Sequence, residues 1–336
     1  MKPLAIEKTL VEDWLGDLCD DFDVFSPSMT KKGFYDWAPF QSGTGLQVPT
    51  GVPKSSIKTF FFPQPEVLFH FKASVSDPDA YRLKEPDCQE RKALLFGVRP
   101  CDARSVVLNS MPYEPDPYFQ ARRKNTLIVG LLCKESCSTC FCKWTGGSPT
   151  GREGMDLALM ELEDSYLVEP VSERGQALIS STIFRKPKEQ EISLVQELYA
   201  RKNGEDAAST LRGKELMALY EAPFWNQVSQ SCINCGTCTF LCPTCYCFDI
   251  QDETLRGKGR RIRYWDSCMF PLFTQHASGH NPRGDKIKRV RNRFMHKFKY
   301  FPDRFGPVSC VGCGRCVRDC PVNIDIRQVL SNMLGV

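Results

Sequence analysis

The stretch Ser231 to Ile250, SCINCGTCTFLCPTCYCFDI, holds six cysteines in twenty residues. Four of them keep the spacing C-x2-C-x2-C-x3-C-P, as Cys232, Cys235, Cys238 and Cys242 before Pro243. The same spacing returns in CVGCGRCVRDCP, with Cys310, Cys313, Cys316 and Cys320 before Pro321. Three thiolates at intervals of three, on a tight loop opening into a helix, can cap three corners of one iron-sulfur cube while backbone N–H groups donate to its sulfurs. The fourth corner must come from elsewhere, and in the bacterial two-cluster arrangement the cysteine before proline serves the other cube. We therefore expect Cys232, Cys235, Cys238 and Cys320 to hold one [4Fe-4S] cluster, and Cys310, Cys313, Cys316 and Cys242 a second. Gly236, Gly312 and Gly314 agree, because backbone wrapped closely around a cluster leaves little room for side chains. Tetrahedral zinc also uses C-x2-C, but it asks for two such pairs per site and gives no reason for a repeated x3-C-P ending.

A third group of thiols precedes these: Cys101 in GVRPCDARS, then Cys133, Cys137, Cys140 and Cys142 in CKESCSTCFC. The apolar runs KALLFGV (Lys92 to Val98) and NTLIVGLLC (Asn125 to Cys133) read as buried strands, with a helix over DARSVVLNS between them. That order predicts a parallel pair joined by a crossover. Cys101 and Cys133 would then leave the carboxyl ends of neighbouring strands, where open α/β sheets gather ligands. Cys140 and Cys142 would close a third [4Fe-4S] site, with Cys137 competing for one corner and Asp102 capping a helix aimed at the cluster. The alternative is a set of buried or redox-active thiols. Cys245, Cys247 and Cys268 are left over once both cubes are complete. We read them as small buried apolar residues, against the alternatives of extra ligands or a site of their own.

The supporting elements divide the chain near Ala222. Residues 1–222 read as an α+β or α/β domain, with a further strand at SYLVEPVS, helices over EISLVQELYAR and DAASTLRGKELMALYEA, and an amphipathic helix over MKPLAIEKTLVEDWLGDL at the start. Residues 223–336 read as a mainly helical, dicluster ferredoxin-like domain. The 44 basic and 40 acidic residues leave a net charge of +4, too balanced to signal nucleic acid. The longest apolar runs fall short of the roughly 18 residues that suggest a membrane span, and no secretory leader is recognisable. The expected location is cytoplasmic, where thiols stay reduced and dense cysteine means metal. No nucleotide-binding G-x-G-x-x-G follows a strand, and His70, His276, His280 and His296 are scattered, so we expect no independent catalytic site. Lys286, Lys288, Arg289, Arg291, Arg293, Lys297 and Lys299 fall in one expected helix. They would offset cluster charge, dock an acidic partner, or form a solvated face.

The motifs GVRPCDARS, CSTCFC, GREGMDLAL, CINCGTCTFLCPTCYCFDI, WDSCMF, ASGHNPRGD, HKFKY and CVGCGRCVRDCPVNIDI resemble those of a family of iron-sulfur electron-transfer subunits. It includes the beta subunit of cytoplasmic NAD(P)-linked nickel-iron hydrogenases (sulfhydrogenases) and the corresponding iron-sulfur subunit of anaerobic sulfite reductase. The resemblance implies a wire between a flavin subunit that exchanges electrons with NAD(P)H and a catalytic subunit, hydrogenase first. Sulfite reductase and a flavin oxidoreductase linked to heterodisulfide reductase are the alternatives. It also implies that the cluster on Cys101, Cys133, Cys140 and Cys142 is real. Between the two ferredoxin motifs we expect a helical insertion rather than a hairpin. There, Arg283 would donate to a cluster sulfur or carboxylate, or Asn281, Pro282 and Gly284 would simply form a turn. Two further hypotheses stand beside the wire: a reductase whose site is Cys245, Cys247 and Cys268, and a structural zinc scaffold.

Overall fold

The computed structural model describes residues 2–335 except 44, 73–77, 79, 81, 87–91, 181, 201–209 and 212–213. The strands are β1 (Leu4–Glu7), β2 (Asp23–Met29), β3 (Tyr35–Pro39), β4 (Glu66–Lys72), β5 (Ala93–Val98), β6 (Thr126–Leu131), β7 (Leu157–Glu161), β8 (Ser165–Pro170), β9 (Phe248–Leu255) and β10 (Lys258–Trp265). Seven of them form one sheet in the order β1-β8-β7-β6-β5-β2-β3. Its centre, β2-β5-β6-β7, is parallel, while β8, β1 and β3 add antiparallel edges.

The sheet is buried on both faces, which is why its central strands are continuous apolar runs rather than alternating ones. Leu94, Phe96, Leu127, Val129, Leu157 and Leu159 pack on one side with Trp14 and Leu15 of the helix Val11–Leu18. Leu95, Ile128, Ala158 and Met160 pack on the other with Phe61, Phe62, Tyr113 and Phe119. Lys92–Val98 and Asn125–Cys133 thus form the expected parallel pair, joined through the helix Pro100–Ser110.

Three local expectations give way. The opening segment is not one helix: Leu4–Glu7 pairs antiparallel with β8, so Ala5 and Ile6 are fully buried in the sheet and tertiary pairing overrides local pattern. Most of the helix expected over residues 206–222 lies outside the described residues or is a single 3-10 turn at Leu216–Leu219. The third concerns the segment between the two cysteine motifs.

That segment opens with a hairpin, β9–β10, so the second part of the chain is a mixture of helix and strand rather than mainly helical. Its turn is Arg256-Gly257, with φ of 49° and 76°, the doubly left-handed geometry that favours two-residue hairpins. β4 adds to the hairpin's other edge, and buried Arg263 on β10 pairs with buried Glu66 on β4 and with Asp116. A second core lies beyond the hairpin. There Trp225, Val290, Phe294, Met295 and Phe298 meet Val329, Leu330 and Met333 of the helix Ile326–Leu334, with Phe141 reaching in from the first part. Among the described residues no helix is long and apolar enough to cross a membrane.

Candidate iron-sulfur sites

Each ferredoxin-type motif is a loop whose glycine starts a short helix. Gly236 (φ 76°) opens Thr237–Phe240 and Gly314 (φ 77°) opens Arg315–Arg318. The two loops face each other. Cys232, Cys235 and Cys238 ring a cavity together with Cys320 of the other motif, over a floor that includes Met269, Val290, Phe294 and Ile326. Backbone N–H groups already point at sulfur here: Asn234 donates to Cys232 Sγ at 3.4 Å and Ile324 to Cys320 Sγ at 3.3 Å.

Cys242 is buried, and its charge couples to those of Cys310, Cys313 and Cys316 as well as to that of Cys238. Cys310 and Cys313 are buried, and burial pushes their thiols up to about 11, with Lys297 acting against this at Cys310 and Arg315 at Cys313. Such thiols ionise when a metal replaces the proton. Cys242 is held low by a hydrogen bond from Cys245 and by the Lys297 ammonium. Lys297 Nζ sits 3.3 Å from Cys242 Sγ, 3.1 Å from Thr244 Oγ1 and 2.8 Å from the Ser309 carbonyl.

The basic segment is therefore a solvated face only in part, with Lys288 exposed and Lys286 and Lys299 half-buried. Arg289, Arg291, Arg293 and Lys297 are all buried, and the helix Lys286–Met295 passes into a π-turn, His296–Tyr300, where Lys297 points inward. Arg293 lies between the two thiol sets. Burial works against its charge, and the sulfurs of Cys238, Cys316, Cys245 and Cys242 hold it charged. Its Nε is buried without a partner, and its terminal nitrogen donates to the Cys238 carbonyl at 3.3 Å. At His280–Asp285 the simple turn forms: Asn281 Oδ1 accepts from the Arg283 N–H at 2.9 Å.

The third group assembles where the sheet predicts. Cys101, on the first turn of Pro100–Ser110, Cys133, just past β6, and Cys137, Cys140 and Cys142 line one cavity with Arg99 and Gly312. Burial raises the thiols of Cys101, Cys133 and Cys142, and Arg99 opposes the effect at Cys133. Cys137 and Cys140 form a disulfide, so either becomes a ligand only after reduction. Asp102 does not cap its helix; the cap position is Arg99 and no side chain bonds there. Asp102 is instead fully buried in a bidentate pair with Arg315 of the second motif, at 2.6 and 2.7 Å. Neither the sequence position of Asp102 nor that of Arg315 signals this pairing.

The second motif also touches the third cavity through backbone. Gly312 has φ 61°, and a Cβ there would lie 2.5 Å from Cys142 N and from Phe141 O. Gly312 O accepts from the Phe141 N–H at 2.8 Å. Gly312→Ala should consequently cost about 1–3 kcal/mol for the strained backbone alone. A lowered urea midpoint checks this, and an unchanged midpoint would show that the two loops yield freely.

The donor sets fit cubane clusters. Among the described residues no three Cys, His, Asp or Glu side chains converge on the point of a single ion; the sulfurs ring cavities, glycines clear the backbone, and an unpartnered guanidinium N–H faces the thiols. A family described as a 4Fe-4S dicluster domain matches residues 231–324. No solved structure matches the chain. The beta subunit of sulfhydrogenase 2 from Pyrococcus furiosus is 32% identical over 287 residues, which cover 82% of this chain and 82% of that protein. Likeness of that extent, with a dicluster match that spans both cysteine motifs, places this chain in the family of sulfhydrogenase beta subunits, iron-sulfur proteins of electron transfer.

Proposed function

We propose that the chain carries three [4Fe-4S] clusters in series and conducts electrons between a flavin subunit that oxidises NAD(P)H and a nickel-iron hydrogenase subunit, in a cytoplasmic assembly. Cys232, Cys235, Cys238 and Cys320 hold the first, Cys310, Cys313, Cys316 and Cys242 the second, and Cys101, Cys133, Cys142 and Cys140, once reduced, the third. Bound clusters supply one-electron relay, and everything else is positioning by this chain. The observation that carries the reading is the placement of the second motif between the other two thiol sets. Cys316 lines the cavity of the first set, and Gly312 lines that of the third. Buried Lys297, Arg293 and Arg315 supply cations against the negative charge of thiolate-bound cubes.

The hydrogenase side of the proposal rests on the relative's name, and the division into units 1–222 and 223–336 on the cysteine motifs that begin after Ala222, although the cores share residues across that point, Phe141 in one and Trp265 in the other. Iron analysis of the anaerobically purified chain tests the cluster count. About twelve iron atoms per chain are expected at four per cube. A value near eight would remove the N-terminal cluster. Co-purification with a flavoprotein and a nickel protein tests the partners; a sirohaem partner instead would assign the wire to sulfite reduction.

A further inference from the structure

Five cysteines remain outside these sites, Cys19, Cys88, Cys245, Cys247 and Cys268, and the last three are not scattered. Cys247 precedes β9 and Cys268 follows β10, so the pairing of Phe248 with Trp265 at the open end of the hairpin brings them together. The Asp266 N–H donates to the Cys247 carbonyl at 2.9 Å, and the two thiols are in hydrogen-bond contact. Both line a cavity of about 330 Å³. Its walls carry Arg283 beside the rings of Phe273 and Tyr300, while Arg293 and Lys297, whose hydrogen bonds go to the Cys238 carbonyl and to Cys242, Thr244 and Ser309, add positive charge behind them, a lining suited to an anion with an apolar body.

We propose that Cys247 and Cys268 form a redox-active dithiol that undergoes exchange with a small anionic organic disulfide, with Cys247 as the attacking sulfur. The hydrogen bond from Cys268, with Lys58 and Lys297 nearby, lowers the Cys247 thiol to about 7, whereas Cys268 is pushed well up. That is the division between an attacking and a resolving thiol. The Cys247 thiolate attacks one sulfur of R–S–S–R, the S–S bond breaks, and RS⁻ leaves a mixed disulfide on Cys247. Cys268 loses its proton and attacks the Cys247 sulfur, giving the Cys247–Cys268 disulfide and a second RS⁻. The substrate disulfide is reduced by two electrons and the protein dithiol is oxidised by two. Cys245 is left out because it hydrogen-bonds to Cys242.

The test uses the full chain, purified anaerobically with its iron, and 4,4′-dithiodibutyrate as probe, with thiol release and peptide mass spectrometry as readouts. Wild type should release about two equivalents of mercaptobutyrate and gain a Cys247–Cys268 bridge. Cys268→Ser should stop at a mixed disulfide on Cys247 after about one equivalent, and Cys247→Ser should lose the reaction at this site. The dication cystamine should react at least about tenfold more slowly, since like charge raises the cost of entry. Unmodified Cys247 and Cys268 in the wild type would overturn the proposal. So would loss of iron from either serine variant, which would make these thiols cluster ligands. Iron content of the wild type reports the cluster assignment separately, so failure of one reading does not imply failure of the other.

Discussion

Cys320→Ser should empty the centre built on Cys232, Cys235 and Cys238 and leave the centre on its own motif in place. Cys320 lines the cavity of the first motif, and the charges of Cys310, Cys313 and Cys316 all couple to that of Cys242. Loss of about four iron atoms is expected from each of Cys320→Ser and Cys242→Ser, so iron content alone does not distinguish them. The electron paramagnetic resonance spectrum does. Reduced Cys320→Ser should match Cys232→Ser, and reduced Cys242→Ser should match Cys313→Ser. If Cys320→Ser matched Cys313→Ser instead, each motif would close its own cluster and the crossed ligation would be wrong.

The second large effect is at the Asp102–Arg315 pair, where both side chains are wholly buried. Arg315 also donates to the carbonyls of Pro53, Lys54 and Ser55. Asp102→Asn leaves a buried guanidinium without its counter-charge and should cost about 3–5 kcal/mol. Asp102→Leu combined with Arg315→Met should recover most of that, because removing both charges also removes their desolvation penalty. Urea midpoints of the three proteins measure it. Equal midpoints for Asp102→Asn and wild type would show that the carbonyls alone satisfy Arg315. The pair joins the helix bearing Cys101 to the helix Arg315–Arg318, which bears Cys316, so Asp102→Asn should loosen the third centre and release iron from it.

What was legible in the sequence follows a physical division. The cysteine motifs and the strand-helix-strand unit are local signals, and both appear where the spacing and the apolar runs put them. Convergence of Cys101 and Cys133 was legible too, because parallel strands deliver their carboxyl ends to one edge. The hairpin was missed although Gly257 and the neighbouring alternation in β10 marked it; the expectation of helices came from the motifs on either side rather than from these residues. Arg289, Arg293 and Lys297 recur every four residues, which sets them on one helical face, yet a charged face reads as solvated until the facing thiols are known. Asp102 with Arg315, and Glu66 with Arg263, join residues far apart in the chain, and no local pattern encodes such partners.

The contact between Gly312 and the Phe141–Cys142 backbone also ties the second motif to the wall of the third cavity. That cavity is walled by residues from both halves of the sequence, so a change that shifts the Gly312 loop reaches the N-terminal thiols without touching any of them.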